Sequence, residues 1–227
     1  SNAARIGENI TLTNSTANNA RFGSTTGTVT FSGGFGSVDA TADIVSWGDT
    51  SITVTVPSGI SGSVYLGDIT IQRAVDTGSK PDNAYDSNGF RILPRITANN
   101  PASGVANDKI QITGDHLCQS GSCPVSPNRS AAANNVKFGS TQAADTADGD
   151  DFFNSGGSPC GALTQAWNHA EICVEVPAGV PTGSQPTQVT SDTAYTSNTQ
   201  AFTVLSPTPT TPTTLWQSRN AAFTNLI

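Results

Sequence analysis

The stretch IVSWGDTSITVTVPSG (Ile44–Gly59) occurs a second time in the chain as TQAWNHAEICVEVPAG (Thr164–Gly179). The two stretches align without a gap and share several identical residues. The identical pairs include Trp47 and Trp167, Ile52 and Ile172, Val54 and Val174, Val56 and Val176, Pro57 and Pro177, and Gly59 and Gly179. An internal repeat of about a hundred residues indicates two copies of one domain.

The similarity continues on both sides of this stretch. NITLT (Asn9–Thr13) aligns with KIQIT (Lys109–Thr113), RFGST (Arg21–Thr25) with KFGST (Lys137–Thr141), and AYDSNGF (Ala84–Phe90) with AYTSNTQAF (Ala194–Phe202). The alignment predicts a first domain over residues 4–93 and a second over residues 94–205. Residues 1–3 (SNA) are interpreted as the remnant of a cleaved expression tag. Residues 206–227 are interpreted as a Pro/Thr-rich linker, which should be extended, followed by a short tail.

The residue pattern is typical of an all-β fold. Apolar and polar residues alternate over short runs such as ENITLT, GTVTF and TSITVTV, and Gly, Pro, Asn and Ser supply turns between them. No apolar residues recur with a helical period over three turns, so almost no helix is expected. Short strands at this spacing predict an antiparallel β-sandwich for each copy.

Charge excludes several classes of function. The chain has 10 Lys and Arg against 17 Asp and Glu, which gives a net charge of −7. Nucleic acid and anionic lipid both favour basic surfaces, so neither is an expected partner. No run of about eighteen apolar residues occurs, and therefore no membrane insertion is expected.

All four cysteines lie in the second copy: Cys118, Cys123, Cys160 and Cys173. An even number in loop-rich segments favours disulfides and an oxidising compartment. Of the three possible pairings, Cys118–Cys123 and Cys160–Cys173 close the shortest loops. Alternation along EICVEV places Cys173 on the face opposite to the core-facing residues of this strand. On that face its side chain can contact a loop. A four-cysteine zinc site is the alternative, but the chain has no C-x-x-C knuckle.

The second copy opens with PRITANNPASGVANDK, for which the first copy has no counterpart. The segment is interpreted as an edge strand followed by a Pro-Gly turn. The first copy is therefore expected to lack its first strand, which would leave one sheet edge open. Open edges recruit further strands. The C-terminal tail LWQSRNAAFTNLI, or another chain, is the candidate partner for this edge.

The second copy resembles the IPT/TIG family, an immunoglobulin-like fold of transcription factors, plexins and bacterial surface proteins. The matching residues are Pro94, Ile96, Pro101, Gly104, Ile110, Ile112, Gly114, Val136, Phe138, Gly139, Ile172, Val174, Val176 and Pro177. The first copy matches from Ile10 onward, with Asn14 where the pattern has glycine. The resemblance implies two tandem immunoglobulin-like antiparallel β-sandwiches used for adhesion, spacing or protein contact. The family shares no catalytic residues.

Three groups of residues are candidate sites. Asp145, Asp148, Asp150 and Asp151 gather carboxylates that calcium prefers, although the spacing differs from an EF-hand and a solvated acidic loop is the alternative. His116 and His169 are expected to be ordinary loop histidines, because no nucleophile motif accompanies them. The aromatic residues Trp216, Phe152, Phe153 and Tyr65 are the candidates for a glycan-binding platform. Trp47 and Trp167 are expected to pack in or beside the core.

The sequence therefore predicts a non-catalytic module of a larger extracellular or cell-surface protein, of bacterial origin. It would act as a spacer or adhesion region, or bind a protein or a carbohydrate, without a cofactor. The alternative is a pair of accessory domains in a secreted hydrolase whose catalytic domain lies elsewhere in the full protein. No acid–base pair, nucleophile or metal cluster with suitable spacing supports an enzyme in these residues.

Overall fold

A computed structural model describes residues 2–13, 22–74, 85–86, 89–119, 123–131, 133–146, 149–153, 158–160, 165–192 and 195–207. In these residues the regular structure is β-strand, with two 3-10 helices of one turn each, Gly33–Phe35 and Thr41–Asp43. The expected all-β fold is confirmed. The described part of the chain contains no helix long and apolar enough to cross a membrane.

The first half of the chain forms two sheets. Its strands are β1 (Ala3–Ala4), β2 (Asn9–Thr13), β3 (Thr28–Ser32), β4 (Val38–Asp39), β5 (Ile44–Trp47), β6 (Ser51–Thr55), β7 (Leu66–Gln72), β8 (Tyr85–Asp86) and β9 (Phe90–Ile92). One sheet has the order β1-β9-β7-β3-β4, with β8 also paired to β7, and the other has the order β2-β6-β5. We call this half the first sandwich.

The second half repeats the arrangement and adds to it. Its strands are β10 (Arg95–Asn100), β11 (Ser103–Gly104), β12 (Lys109–Asp115), β13 (Asn135–Phe138), β14 (Thr141–Gln142), β15 (Asp145–Thr146), β16 (Gly149–Asp150), β17 (Glu171–Glu175), β18 (Gly183–Ser191), β19 (Tyr195–Thr196) and β20 (Gln200–Val204). The sheets have the orders β10-β12-β17 and β11-β20-β18-β13-β14, with β19 on β18, and β15 and β16 form a hairpin. We call this half the second sandwich.

Alternation along the strands explains which side chains are buried. In β2, Ile10 and Leu12 are buried and their neighbours are exposed, and in β3 the buried pair is Val29 and Phe31. Successive side chains of a strand point to opposite faces, so one face of each sheet is apolar. These are the faces that the repeat pattern predicts.

Two separate hydrophobic cores result. The first contains buried residues between Ala4 and Ile92 from both sheets of the first sandwich. The second contains buried residues between Ile96 and Val204 from both sheets of the second sandwich. Aromatic rings meet edge to face in each core, as Phe31 and Phe90 do with centroids 5.7 Å apart. Each half therefore buries its own core, with an aromatic geometry that is favoured in proteins.

The repeat is visible in the pairing of strands. β1 pairs parallel with β9, and β11 pairs parallel with β20. β2 pairs antiparallel with β6 in the same register as β12 with β17. The segment that precedes β12 differs: β10 pairs with the free side of β12, and among the described residues no strand pairs with that side of β2.

The first residues of the chain take part in the fold. Ala3, which the sequence assigned to a tag remnant, lies in β1 beside Arg91 of β9. The backbone N–H of Arg91 also donates to the carbonyl of Asn2 at 2.8 Å. An Ala-Ala pair carries no hydrophobic period, and so this short parallel strand has no sequence signal.

Candidate functional site

Several polar contacts join the two sandwiches at their junction. Only Leu93 and Pro94 separate the last strand of the first sandwich from the first strand of the second. Arg5 of the first sandwich donates from Nε to the Pro94 carbonyl at 3.0 Å and from Nη2 to the Thr196 carbonyl at 2.9 Å. Its Nη1 forms an ion pair with Glu8 at 3.0 Å. The guanidinium of Arg5 thus binds groups of the second sandwich and a carboxylate of its own loop at the same time.

Arg91 makes a second connection across the junction. Its guanidinium lies over the ring of Tyr195 in the second sandwich, 4.1 Å from the centroid, and over Tyr65 of its own sandwich at 5.1 Å. Its Nη1 also lies 3.5 Å from the Gln119 side-chain oxygen. Arginine stacks readily on aromatic faces because its charge is delocalised and weakly hydrated. The half-buried rings therefore fix the side chain between the sandwiches.

Arg95 connects in the opposite direction. It belongs to β10, but its Nη1 donates to the Ile6 carbonyl of the first sandwich at 3.1 Å. The same nitrogen lies 3.9 Å from the Asp115 carboxylate. None of the three arginine contacts could be predicted from the sequence, because the partners across the junction lie far away in the chain or in the other sandwich. The signal that was available is the position of Arg91 and Arg95 on either side of the two-residue connection.

His116 is buried at the same junction. Its φ of 52° lies in the left-handed region, which few residues other than glycine adopt. Burial lowers the pKa of His116 below its ordinary value, and this effect outweighs the opposing effects of the Asp115 carboxylate and of the Val64 and Ser61 backbone in the first sandwich. The nearby His169 lowers it further. The neutral imidazole is therefore the form that this junction favours. His116 lies in a bend directly after β12, and the sequence carries no signal for its burial there.

The cysteines form the two pairs that loop closure predicts. Cys118 is bonded to Cys123, with Cα atoms 5.3 Å apart, and Cys160 to Cys173, with Cα atoms 6.0 Å apart. The sulfurs of Cys118 and Cys123 lie near the ring of His169, in a cluster with ligand atoms within 4.8 Å of one another. Because the sulfurs are in a disulfide, they offer no thiolate for a zinc ion. His169 has its Nδ1 3.1 Å from the Cys118 carbonyl.

The acidic loop contains two carboxylates that are already occupied. Asp145 is buried and forms an ion pair with Nη2 of Arg129 at 2.9 Å. Asp151 accepts the backbone N–H of Ala144 at 2.6 Å. Asp148 and the side chain of Asp150 lie outside the described residues. Calcium binding at this loop therefore stays a prediction. If Asp145 were a calcium ligand, its carboxylate would have to leave Arg129 or be shared between Arg129 and the ion.

Burial and charge act against each other at Asp145. Burial raises the pKa of this carboxyl, but hydrogen bonds from Arg129, the Arg129 charge and a hydrogen bond from Ser126 lower it, and the net shift is downward. The ionised carboxylate is therefore the stable form. The phenyl ring of Phe152 lies 5.1 Å from the same guanidinium. Together these contacts make a buried structural site.

The structure corrects part of the aromatic platform. Phe152 is buried and stacks on Trp167 with centroids 5.9 Å apart, because it bridges to Val174 at the edge of β17. Phe153 is half-buried, with the Lys109 ammonium 4.6 Å from its centroid. Tyr65 faces Arg91, and Trp216 lies outside the described residues. The large hydrophobic side chains that are exposed in the described part of the chain are aliphatic: Val45, Leu66, Val125 and Leu205.

The two repeated tryptophans pack as expected. Trp167 is fully buried and donates from Nε1 to the Leu117 carbonyl at 2.9 Å. Trp47 is half-buried, packs against the first core and donates to the Gly23 carbonyl at 3.0 Å. Both lie opposite the equivalent isoleucine, Ile52 or Ile172, at the start of the next strand. Their recurrence therefore reflects the scaffold.

Residues 94–204 match the IPT/TIG domain family, and the second sandwich is an IPT/TIG domain. Comparison with curated protein sequences gives no match.

Several solved structures are similar to the whole chain at low identity. SGBP-B from a complex xyloglucan utilization locus in Bacteroides uniformis is 10% identical, with 88% of this chain and 46% of that chain covered and a TM-score of 0.32. A surface glycan-binding protein from Prevotella bryantii is 16% identical (87% and 36% covered, TM-score 0.30). The plexin A4 extracellular region is 11% identical (90% and 21% covered, TM-score 0.34). The chain spans less than half of each of these structures, and scores this low leave the function to be argued from the chain itself.

Proposed function

We propose that this chain is a non-catalytic extracellular module that holds two immunoglobulin-like sandwiches in a fixed relative orientation. In a larger surface protein it would set the distance between the neighbouring regions or present them to a ligand. That ligand would be a protein or a carbohydrate. The observation that carries the proposal is the set of three arginines, Arg5, Arg91 and Arg95, that reach across the connection at Leu93 and Pro94. A flexible connection would not need such contacts.

The cysteines support an extracellular location. Each disulfide closes a short loop of the second sandwich, with sequence separations of 5 and 13 residues. Disulfides persist in oxidising compartments and are rare where thiols are kept reduced. The low content of Lys and Arg in the whole chain also fits a surface that avoids nucleic acid and anionic lipid.

The surroundings of the polar candidates support a structural role. Asp145 is bound to Arg129, His169 contacts the Cys118 carbonyl, and His116 is buried between the sandwiches. A catalytic acid, base or nucleophile needs access to a substrate and a partner at hydrogen-bond distance. Each of these groups instead has a role in packing. The accessory-domain alternative shares this non-catalytic role and differs only in the parent protein.

Nuclear magnetic relaxation of backbone amides tests the fixed orientation. In a rigid pair the two sandwiches tumble with one rotational correlation time. Replacing Arg5, Arg91 and Arg95 together by alanine should separate and shorten these times. Lys137→Ala, which removes a cation from β13 within the second sandwich, is the matched control and should leave them equal. Independent tumbling of the sandwiches in the unaltered chain would contradict the proposal.

A further inference from the structure

His116 of the second sandwich lies against a turn of the first. This turn, residues 61–64 between β6 and β7, is closed by a bond from the Val64 N–H to the Ser61 carbonyl at 3.0 Å, and we call it the junction turn. The backbone of these two residues faces His116, which is 1% exposed. The same turn reaches His169, since a Cβ on Gly62 would lie 3.4 Å from the His169 Cβ. Both histidines therefore take part in the contact between the sandwiches.

The imidazole of His116 is buried without a polar partner. Among the described residues neither of its ring nitrogens makes a hydrogen bond. The junction turn has the sequence SGSV and so supplies no ionisable side chain, and the nearby His169 disfavours a charged ring. Burying an unpaired charge costs far more free energy than burying a neutral polar group. The contact therefore favours the neutral form of the ring.

The charges around His116 do little to stabilise a protonated ring. The Asp115 carboxylate favours the proton, but it is substantially exposed and lies 3.9 Å from Nη1 of Arg95. On the other side, Nη1 of Arg91 lies 3.5 Å from the side-chain oxygen of Gln119. The side-chain nitrogen of Gln119 in turn donates to the His116 carbonyl at 3.1 Å. A proton on His116 would thus add a positive charge to a region that already holds two arginines.

The segment that carries His116 is anchored in the second sandwich. The Leu117 N–H donates to the His169 carbonyl at 3.0 Å, and the Gln119 N–H donates to the Ser191 hydroxyl at 2.9 Å. These bonds resist a movement of the segment that would carry the ring into water. The junction turn, by contrast, makes no hydrogen bond to either ring nitrogen. Separation from the junction turn is therefore the movement that lets water reach the imidazole.

We propose that His116 is an acid-sensitive switch between the two sandwiches: when its imidazole takes up a proton, the contact with the junction turn opens and the sandwiches lose their common orientation. Burial lowers the pKa of His116 while the junction is closed, so the open junction binds the proton more tightly and acid favours the open form. The inference rests on the proposed fixed orientation and adds the condition under which that orientation is lost.

Relaxation of backbone amides in the full chain, measured between about pH 8 and about pH 5, tests the switch. The two sandwiches should share one rotational correlation time at the upper end of this range and have two shorter times at the lower end. Between the pKa of the buried ring and that of an exposed ring, the ratio of open to closed junctions should rise about tenfold per pH unit, because one proton is taken up. The midpoint of this change should coincide with the titration of the His116 ring, followed by its proton chemical shifts.

Two variants assign the effect to one ring. His116→Asn should keep a single correlation time over the whole range, because asparagine does not titrate and tolerates a positive φ. His169→Asn is the matched control and should open as the unaltered chain does. Opening of His116→Asn at low pH would overturn the proposal. The titration of the ring needs no variant, so the test holds even if His116→Asn fails to fold: a midpoint that differs from that of the opening would also overturn the proposal.

The outcomes distinguish this inference from the proposed function. A single correlation time at both ends of the pH range would overturn the switch and leave the fixed orientation intact. Two correlation times already present near pH 8 would overturn the fixed orientation, and the switch with it. Loss of dispersed amide signals from the second sandwich at low pH would overturn the switch in favour of unfolding of that sandwich.

Discussion

At the scale of single residues, the Arg129–Asp145 pair is the most costly contact to disturb in the acidic loop. Both side chains are buried, and Asp145 also accepts the backbone N–H of Arg129 at 2.6 Å. Removing one member of a buried pair leaves an uncompensated charge. Asp145→Ala should therefore lower the free energy of unfolding by about 3–5 kcal/mol, measured by urea denaturation.

Asp115→Ala is the matched control for this prediction. The Arg95–Asp115 pair has its charged atoms 3.9 Å apart and both side chains substantially exposed. Such pairs contribute about 0–1 kcal/mol, so the control should change stability little. An effect of Asp145→Ala as small as that of Asp115→Ala would show that the Asp145 carboxylate is solvated and available as a calcium ligand.

His116 gives the junction a dependence on pH. The pKa of its imidazole is lowered from 6.5 by burial in the folded chain, so the unfolded chain takes up the proton first. The contribution of the neutral His116 imidazole to the free energy of unfolding is therefore fully present above pH 6.5, and it is lost as the pH falls below that value. Urea denaturation between pH 8 and pH 5 should show this loss of stability, within the range of about 5–8 in which histidines titrate.

His116→Asn should remove this component of the pH dependence, because asparagine does not titrate and tolerates a positive φ. His169→Asn is the control, and it should leave the loss of stability at low pH in place. An unchanged pH profile in His116→Asn would show that the imidazole is solvated at the junction and that its burial has no energetic consequence.

At the scale of elements, the two disulfides should differ in what they contribute. Cys160–Cys173 closes a loop with a separation of 13 residues, and Cys118–Cys123 one of 5. A longer loop loses more entropy in the unfolded chain. Replacing both Cys160 and Cys173 by alanine should therefore lower the free energy of unfolding by about 3 kcal/mol. Replacing Cys118 and Cys123 should lower it by about 2 kcal/mol, measured by thermal denaturation under oxidising conditions. The reverse order would show that strain or packing outweighs loop closure.

The calcium prediction also belongs to one element, the hairpin of β15 and β16. Asp148 and the side chain of Asp150 lie outside the described residues, and both carboxylates remain candidate calcium ligands of this hairpin. Calcium binding would raise the melting temperature, and Asp148→Ala with Asp150→Ala should abolish that rise. A rise that persists in the double variant would place the ion elsewhere, and no rise in the unaltered chain would leave a solvated loop.

The strands that alternate could be predicted from the sequence, whereas contacts between distant segments could not. NITLT and TVTF have the two-residue period and became β2 and β3. The sequence makes Phe152 a candidate for a glycan-binding platform, but the residue is buried, and its burial depends on the bridge to Val174. The Arg91 contact with Tyr195 spans two domains, and no local pattern encodes it.

At the scale of the whole molecule, the proposed spacer has two sandwiches in a fixed relative orientation. The repeat produced two cores, and the three arginines and His116 lie where these two units meet. Polar contacts between domains normally permit motion unless the interface is extensive. A fixed orientation of the two sandwiches therefore depends on the contacts of this junction, and measurements of their relative orientation test it.

Residual dipolar couplings of the unaltered chain measure the relative orientation of the two sandwiches. Couplings of the amides in residues 22–74 and of those in residues 165–192 each yield an alignment tensor for one sandwich. If the junction is rigid, the two tensors should have the same magnitude and orientation when they are placed in the frame of the structure. Tensors of different magnitude would contradict it, because they would show that the sandwiches reorient independently about Leu93 and Pro94.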